Sequence, residues 1–237
     1  MKMSILNTLM ITTFILFISI SFAADRTSKS YNYKDFTAVE VSSGMHLKVT
    51  QSDAYSIEVI ADQEDFKHIR VEKDGNSLKF SIKRDSFFSD WGRHNKIEVI
   101  IKMPSLTGLE LSGGSIGNIN MDVSTRKFSA ELSGGSSVNG NLKCGKVEME
   151  LSGGSVVDLS GQGKNLNVDG SGGSIVKLKN FAVNDVDADL SGGSNVEITM
   201  DGILNTEQSG GSHLTYYGKA SLGNTDFSGG SGVSKGR

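Results

Sequence analysis

Apolar and polar positions alternate along most of this chain, and the alternation is locked to a recurring tetrapeptide. Ser-Gly-Gly-Ser begins at Ser112, Ser133, Ser152, Ser171, Ser191, Ser209 and Ser228, at intervals of 21, 19, 19, 20, 18 and 19 residues. One place before the first Ser stand Leu111, Leu132, Leu151, Gly170, Leu190, Gln208 and Phe227. Three places before it stand Leu109, Ala130, Met149, Val168, Ala188, Thr206 and Thr225. Five places after it stand Gly117, Val138, Val157, Val176, Val196, Leu214 and Val233. Apolar residues at every second place predict half-buried strands on both sides of the tetrapeptide. A fixed period near 19 residues predicts a solenoid, in which no coil buries its apolar face alone but a stack shares one core. Each coil reads as strand, Gly-Gly corner, strand, and a variable return of about one further short strand. Gln208 and Thr225 break the apolar pattern, so the last coils are expected to pack less well.

The corners are predicted at Gly113 and Gly114, Gly134 and Gly135, Gly153 and Gly154, Gly172 and Gly173, Gly192 and Gly193, Gly210 and Gly211, and Gly229 and Gly230. Glycine reaches backbone angles closed to other residues and leaves room for the coil above. Upstream, Phe36 to Val49 falls on the same frame, with Ser42-Ser43-Gly44-Met45 at the corner, and reads as a degenerate eighth copy. The frame is then lost. Strands are expected around Ile57–Ala61 and Ile97–Ile101. A hairpin is expected to pair Ile69 and Val71 with Leu78, Phe80 and Ile82 across Asp74-Gly75-Asn76. This region reads as wider coils or paired strands capping the stack. No stretch after the leader has a helical period.

The outward positions change the picture more than the core does. Two places before the first Ser every copy is acidic: Glu110, Glu131, Glu150, Asp169, Asp189, Glu207 and Asp226. The neighbours on both sides face inward, so these side chains face solvent. Carboxylates about 4.8 Å apart in adjacent coils repel by roughly 0.9 kcal/mol even in bulk water. Three readings stand open. The carboxylates can accept hydrogen bonds at the corner and fix the turn. They can hold a divalent cation, Ca²⁺ above all, which takes several hard oxygen ligands. Or they form a recognition surface for a cationic or hydroxyl-rich partner. A second candidate site is the inserted loop Asp85–Asn95. Its Phe87, Phe88 and Trp91 either offer a stacking platform for a sugar or partner, or fold back over the end of the core.

The N-terminus reads as a signal peptide over residues 1–23. Lys2 precedes the apolar stretch Ile5–Phe22, and Ser21-Phe22-Ala23 fits a small-x-small cleavage site. An uncleaved anchor is the alternative. Residues 24–32 read as a linker and 33–237 as one domain, with irregular coils over 33–105 and the repeats over 106–237. Export without a disulfide follows from the one cysteine, Cys144. The formal charge of −3 falls to −4 without Lys2 and gives no reason to expect nucleic acid.

From Phe36 onward the layout resembles the bacterial head GIN domain family of auto-transporter adhesins. The resemblance rests on the Phe36–Gln51 strand-turn-strand, on Lys102-Met103-Pro104-Ser105-Leu106, and on recurring Leu-Ser-Gly-Gly-Ser with Val or Ile beyond. The family's corner is more often Ser-Gly-Ser-Gly or Ser-Gly-Ala-Ser, so the uniform tetrapeptide is a departure. The resemblance implies an all-β fold, a single-stranded right-handed parallel β-helix, with export and an adhesion role. It brings no catalytic residues.

Enzyme motifs occur out of context. Gly113-Gly114-Ser115-Ile116-Gly117 matches Gly-x-Ser-x-Gly without the strand-to-helix turn that motif needs. Ser124 to Lys127 matches Ser-x-x-Lys without partner motifs. His46, His68, His94 and His213 lack metal-ligand spacing. The expected function is therefore a non-catalytic surface-binding module, at home in the periplasm, on the outer membrane or outside the cell. Its partner would be a cell-surface or extracellular glycan or protein, and no cofactor is expected beyond the possible Ca²⁺. The alternatives are a polysaccharide-active β-helix enzyme, since such folds host lyases and hydrolases, and a structural unit that assembles through its ends.

Overall fold

The computed structural model describes residues 26–83 and 96–237. The leader, its cleavage point, and Phe87, Phe88, Trp91 and His94 lie outside the described residues. Nineteen strands and one 3-10 turn, Asp65–Lys67, make up the described regular structure, with no α-helix among them. The irregular first part holds β1 (Arg26–Tyr31), β2 (Ala38–Val41), β3 (His46–Gln51), β4 (Ser56–Asp62), β5 (Ile69–Asp74), β6 (Ser77–Ile82) and β7 (Glu98–Met103). The repeats begin with β8 (Gly108–Leu111), β9 (Ile116–Leu132), β10 (Ser137–Leu151), β11 (Val156–Gln162), β12 (Asn165–Gly170) and β13 (Ile175–Val183). They finish with β14 (Asp185–Leu190), β15 (Asn195–Met200), β16 (Ile203–Gln208), β17 (His213–Tyr217), β18 (Ser221–Phe227) and β19 (Gly232–Lys235).

The repeats form a parallel β-solenoid. Strand segments leading into the corners stack in one run: β8, the end of β9, the end of β10, β12, β14, β16 and β18. Segments leaving the corners stack in a second: the start of β9, the start of β10, β11, β13, β15, β17 and β19. Period-two patterning sends alternate side chains inward, so equivalent residues of successive coils meet in ladders. Leu109, Ala130, Met149, Val168, Ala188 and Thr206 form one such buried ladder, and Val138, Val157, Val176, Val196 and Leu214 another. Each fully buried Val or Leu contributes about 1.5–3 kcal/mol.

The expected return strand is not separate. β9 and β10 run unbroken from one corner to the next. The turn of the coil is made inside them by a register shift, as between Leu142 and Cys144. A bulge bends a strand without ending it, which alternation alone does not distinguish from a short third strand.

The serines explain the corner. The hydroxyl of each second Ser donates to the carbonyl of the first, as in Ser115 to Ser112 at 2.8 Å and Ser155 to Ser152 at 2.7 Å, and every second Ser but Ser231 is buried. One sequence nevertheless gives two corner geometries. At Gly134-Gly135 both residues are left-handed, with φ of 62° and 76°. At Gly192-Gly193 only the first is, with φ of 69°, and the Gly193 N–H donates 2.6 Å to the carbonyl of Gly172 in the coil below. The same bond recurs from Gly211 to Gly192 and from Gly230 to Gly210.

Residues upstream of β8 stack out of chain order. β2 lies between β6 and β8, and β3 between β7 and β9. The coil made by β6 and β7 thus sits outside the one made by β2 and β3. Antiparallel strands finish this end: β5 on β6, and β4 with β1 on β7. Phe36 is fully buried beneath Tyr55, ring centroids 4.8 Å apart, and the Tyr55 hydroxyl donates 2.9 Å to the Phe36 carbonyl.

Candidate functional site

The predicted acids form one continuous row. Glu40 stands beside Glu110, then Glu131, Glu150, Asp169, Asp189, Glu207 and Asp226 follow in unbroken register. All but Glu40 are exposed. The degenerate first copy therefore contributes an eighth carboxylate, in the place the frame assigns it.

The turn-fixing reading fails. The corner hydroxyls donate to backbone carbonyls, and the corner N–H groups to the neighbouring coil. No carboxylate from Glu110 to Asp226 in this row accepts a hydrogen bond or forms an ion pair among the described residues. The row is neutralised at one end only. Lys79 lies 3.0 Å from Glu40, and that hydrogen bond raises its pKa. Burial first, then the charges of Glu40 and Glu131, hold the Glu110 carboxyl above its usual range.

A second outward column runs beside the first, through Glu148, Asn167, Asp187 and Asn205. Sequence reasoning missed it, although the polar residue four places before the first Ser in every copy from Ser133 onward was its signal. Lys127 and Lys146 both pair with Glu148, and the hydrogen bond from Lys127 leads in holding its pKa down. Asn205 donates 2.8 Å to Asp187. No lysine stands in either column between Glu110 and Asp226; Lys127 and Lys146 flank Glu148 from the next outward position. Three shallow grooves run along this sheet. One of about 400 Å³ lies between the columns from Glu148 to Glu207, one of about 380 Å³ reaches Asp226, and one of about 250 Å³ covers Glu110 to Asp169.

The carboxylates lie in line rather than converging. Among the described residues no group of three or more His, Cys, Asp or Glu side chains is gathered closely enough to hold a metal ion. Any Ca²⁺ on the row would be bridged by neighbouring coils and a partner. The other chemical candidates resolve as structure. Gly113 to Gly117 is one corner among its equivalents. Cys144 is buried, and burial pushes its thiol up to about 11, far from a reactive thiolate. His213 lies 3.0 Å from the Ser234 hydroxyl, which also meets Thr215 at 3.1 Å. No described carboxylate orients that imidazole, so the nucleophile-base-acid order of a hydrolase is not assembled there.

Comparison with known proteins decides the family. The model described as "Putative auto-transporter adhesin, head GIN domain" matches residues 35–220. The chain belongs to the head GIN domain family. Solved structures share its architecture. A "putative adhesin" of Bacteroides fragilis superposes with a TM-score of 0.76 at 16% identity, covering 89% of this chain and 96% of its own. A "putative adhesin" of Parabacteroides merdae gives 0.69 at 15% identity, covering 91% and 98%. A "putative lipid binding protein" of Parabacteroides distasonis gives 0.67 at 14%, covering 91% and 98%. At such identities the likeness is one of fold. No curated protein matches the sequence.

Proposed function

We propose that this head GIN protein is an exported, non-catalytic binding module of the cell envelope, and that it engages an extended partner along the acidic sheet. The observation that carries the reading is the row from Glu110 to Asp226. Among the described residues its carboxylates have no hydrogen-bond or ion-pair partner, yet they line the grooves of one sheet. A stripe held only for architecture would use Thr or Gln and avoid the repulsion between coils. Repetition at about 4.8 Å suits a partner that is itself repetitive, and many weak contacts add to strong avidity. Two chemistries fit: a cationic protein segment, or an acidic or hydroxyl-rich glycan bridged through Ca²⁺, which accepts carboxylate and hydroxyl oxygens together.

The test is retention of the labelled exported protein on a panel of polysaccharides and bacterial envelope fractions, in Ca²⁺ and in EDTA. Retention lost in EDTA supports a Ca²⁺-bridged glycan. Retention that survives EDTA but falls with salt supports a cationic partner. Absence of retention in both conditions overturns the proposal, and release of soluble sugar would replace it with an enzyme.

A further inference from the structure

Cations gather at one corner of the solenoid, where the turn of the coil enters the acidic sheet. Over three successive coils the exposed residues there include Arg126 and Lys127, then Lys146, then Lys164. Lys127 stands beside Lys146 in register. The Lys164 N–H donates 2.7 Å to the carbonyl of Gly145, which itself lies against the Arg126 carbonyl. One carboxylate stands among these four cations, Glu148, and it is bound by Lys127 and Lys146. Arg126 and Lys164 have no ion pair among the described residues. The patch ends at the next coil, where Asp185 follows Asn165 in register and accepts the Ile203 N–H.

This corner does not neutralise the carboxylate row of its own copy. Corner and row lie at opposite edges of one sheet, four or five residues apart along the strand, about 13–17 Å. The later coils, those of Asp189 and Glu207, carry the row with no cation at this corner at all. Each copy thus presents a cationic strip over its earlier repeats and an unpaired acidic strip over its later ones.

We infer that the cationic corner of one copy seats on the carboxylate row of a second copy, with the two solenoids side by side. The inference rests on the reading of the row as a partner surface, and it names the cationic partner. Repeat distance selects this occupant. The row offers one charge per coil, about 4.8 Å apart. An extended peptide offers same-face side chains about 6.7 Å apart and falls out of step. A second copy has the same coil spacing, so successive cations meet successive carboxylates. Charge position selects the offset. A slide of about two coils, about 10 Å, lays the three cation-bearing coils over those of Asp169, Asp189 and Glu207, clear of the partner's own lysines. Each exposed pair is weak, and several held in one register act together. The contact is heterologous. A pair still has one free corner and one free row, so further copies can add.

Sedimentation velocity of the exported protein at low salt, over a wide concentration range, tests this with two variants. One lacks the corner: Arg126→Gln, Lys127→Gln, Lys146→Gln and Lys164→Gln. The other lacks the facing row: Asp169→Asn, Asp189→Asn and Glu207→Gln. All seven side chains are exposed, so both variants should keep the far-UV circular dichroism of the wild type. The wild type should assemble progressively with concentration and disperse near 1 M salt, where the screening length is about 3 Å. Each variant alone should associate at least about tenfold more weakly. An equal mixture should form a one-to-one complex that grows no further, because each copy then offers one surface. A wild type that is monomeric at every concentration, a variant that assembles as the wild type does, or a mixture that stays unassociated would each overturn the inference. Retention of the corner variant on envelope fractions reads the row alone. Retention without wild-type self-association overturns only the docking of copies, and self-association without retention overturns only the envelope reading.

Discussion

The two halves of this solenoid share one repeat and differ in how each is finished. The N-terminal half is closed by antiparallel strands, and two of its outward acids are met by lysines, Glu40 by Lys79 and Glu148 by Lys127 and Lys146. The C-terminal half keeps the repeat in purer form, yet Leu222 and Phe227 of β18 are exposed, and the row carboxylates from Glu150 to Asp226 have no hydrogen-bond or ion-pair partner among the described residues. Stability and exposure are thus separated along one axis. The irregular sequence holds the fold shut, and the regular sequence presents a surface. A chain built only of the repeat would have two open ends, which is the known difficulty of repeat architectures.

Substitutions in the two halves should expose that asymmetry, beginning with the core. Phe36→Ala removes a fully buried ring from the closed end and is expected to cost about 3–5 kcal/mol in urea unfolding. Leu222→Ala in β18 should cost under about 1 kcal/mol, because half of that side chain is already in water. Equal losses would mean that the last coil is covered in solution.

The corners sharpen the contrast at a smaller scale. A Cβ on Gly192 would meet the Gly172 carbonyl oxygen at 2.6 Å, at a φ of +69°. Gly192→Ala should therefore destabilise by about 1–3 kcal/mol. Gly193→Ala should be close to neutral, since its φ is ordinary and its nearest neighbour stands at 3.7 Å. Its counterpart in the first half, Gly135, has open space but a φ of +76°. Gly135→Ala should cost about 1–2 kcal/mol. Matching effects at Gly135 and Gly193 would contradict the two corner geometries.

The core of the second half also carries an amide where most coils have Leu. Gln208 is buried, its Nε2 lies 3.1 Å from the Thr206 hydroxyl, and its Oε1 has no partner. Gln208→Leu should raise stability by about 1 kcal/mol, read as a higher urea midpoint.

The smallest expected effect is in the pH dependence. Burial above all raises the pKa of Glu110 above the ordinary carboxylate value of 4.5 in the folded chain. The folded state then binds that proton more readily than the unfolded state, so stability falls as pH rises from about 4.5 through the folded value. Glu148 is shifted the other way. Its stabilisation is present above about 4.5 and is lost as pH falls through the lower folded value. Against wild type, Glu110→Gln should remove the first slope and Glu148→Gln the second, in unfolding midpoints taken between pH 3 and 7.

Much of the fold was legible in the sequence because the repeat states one instruction many times. The inward ladders, the corners, the Asp74-Gly75-Asn76 hairpin and the register of Glu40 with the acidic row all follow from local rules. What was not legible depends on contacts without a local signal. β6 and β7 stack outside β2 and β3 because long-range pairing, not chain order, settles which coil is terminal. The two corner geometries differ in whether the second Gly is left-handed, which identical tetrapeptides cannot announce. At the site, the row was found from spacing alone, but its lack of partners among the described residues needed coordinates. The second column of Glu148, Asn167, Asp187 and Asn205 was overlooked because its residue type varies while its polarity does not. The aromatic loop residues Phe87, Phe88 and Trp91 lie outside the described residues.

The central claim is that the carboxylate row serves a partner at the expense of stability. The direct test is one variant, Glu150→Gln, Asp169→Asn, Asp189→Asn and Glu207→Gln combined, measured for urea unfolding and for retention on the surface that holds the wild type. Each removed neighbour repulsion is worth roughly 0.9 kcal/mol in water, so the account predicts a more stable protein that no longer binds. A variant that binds as well as wild type would contradict it.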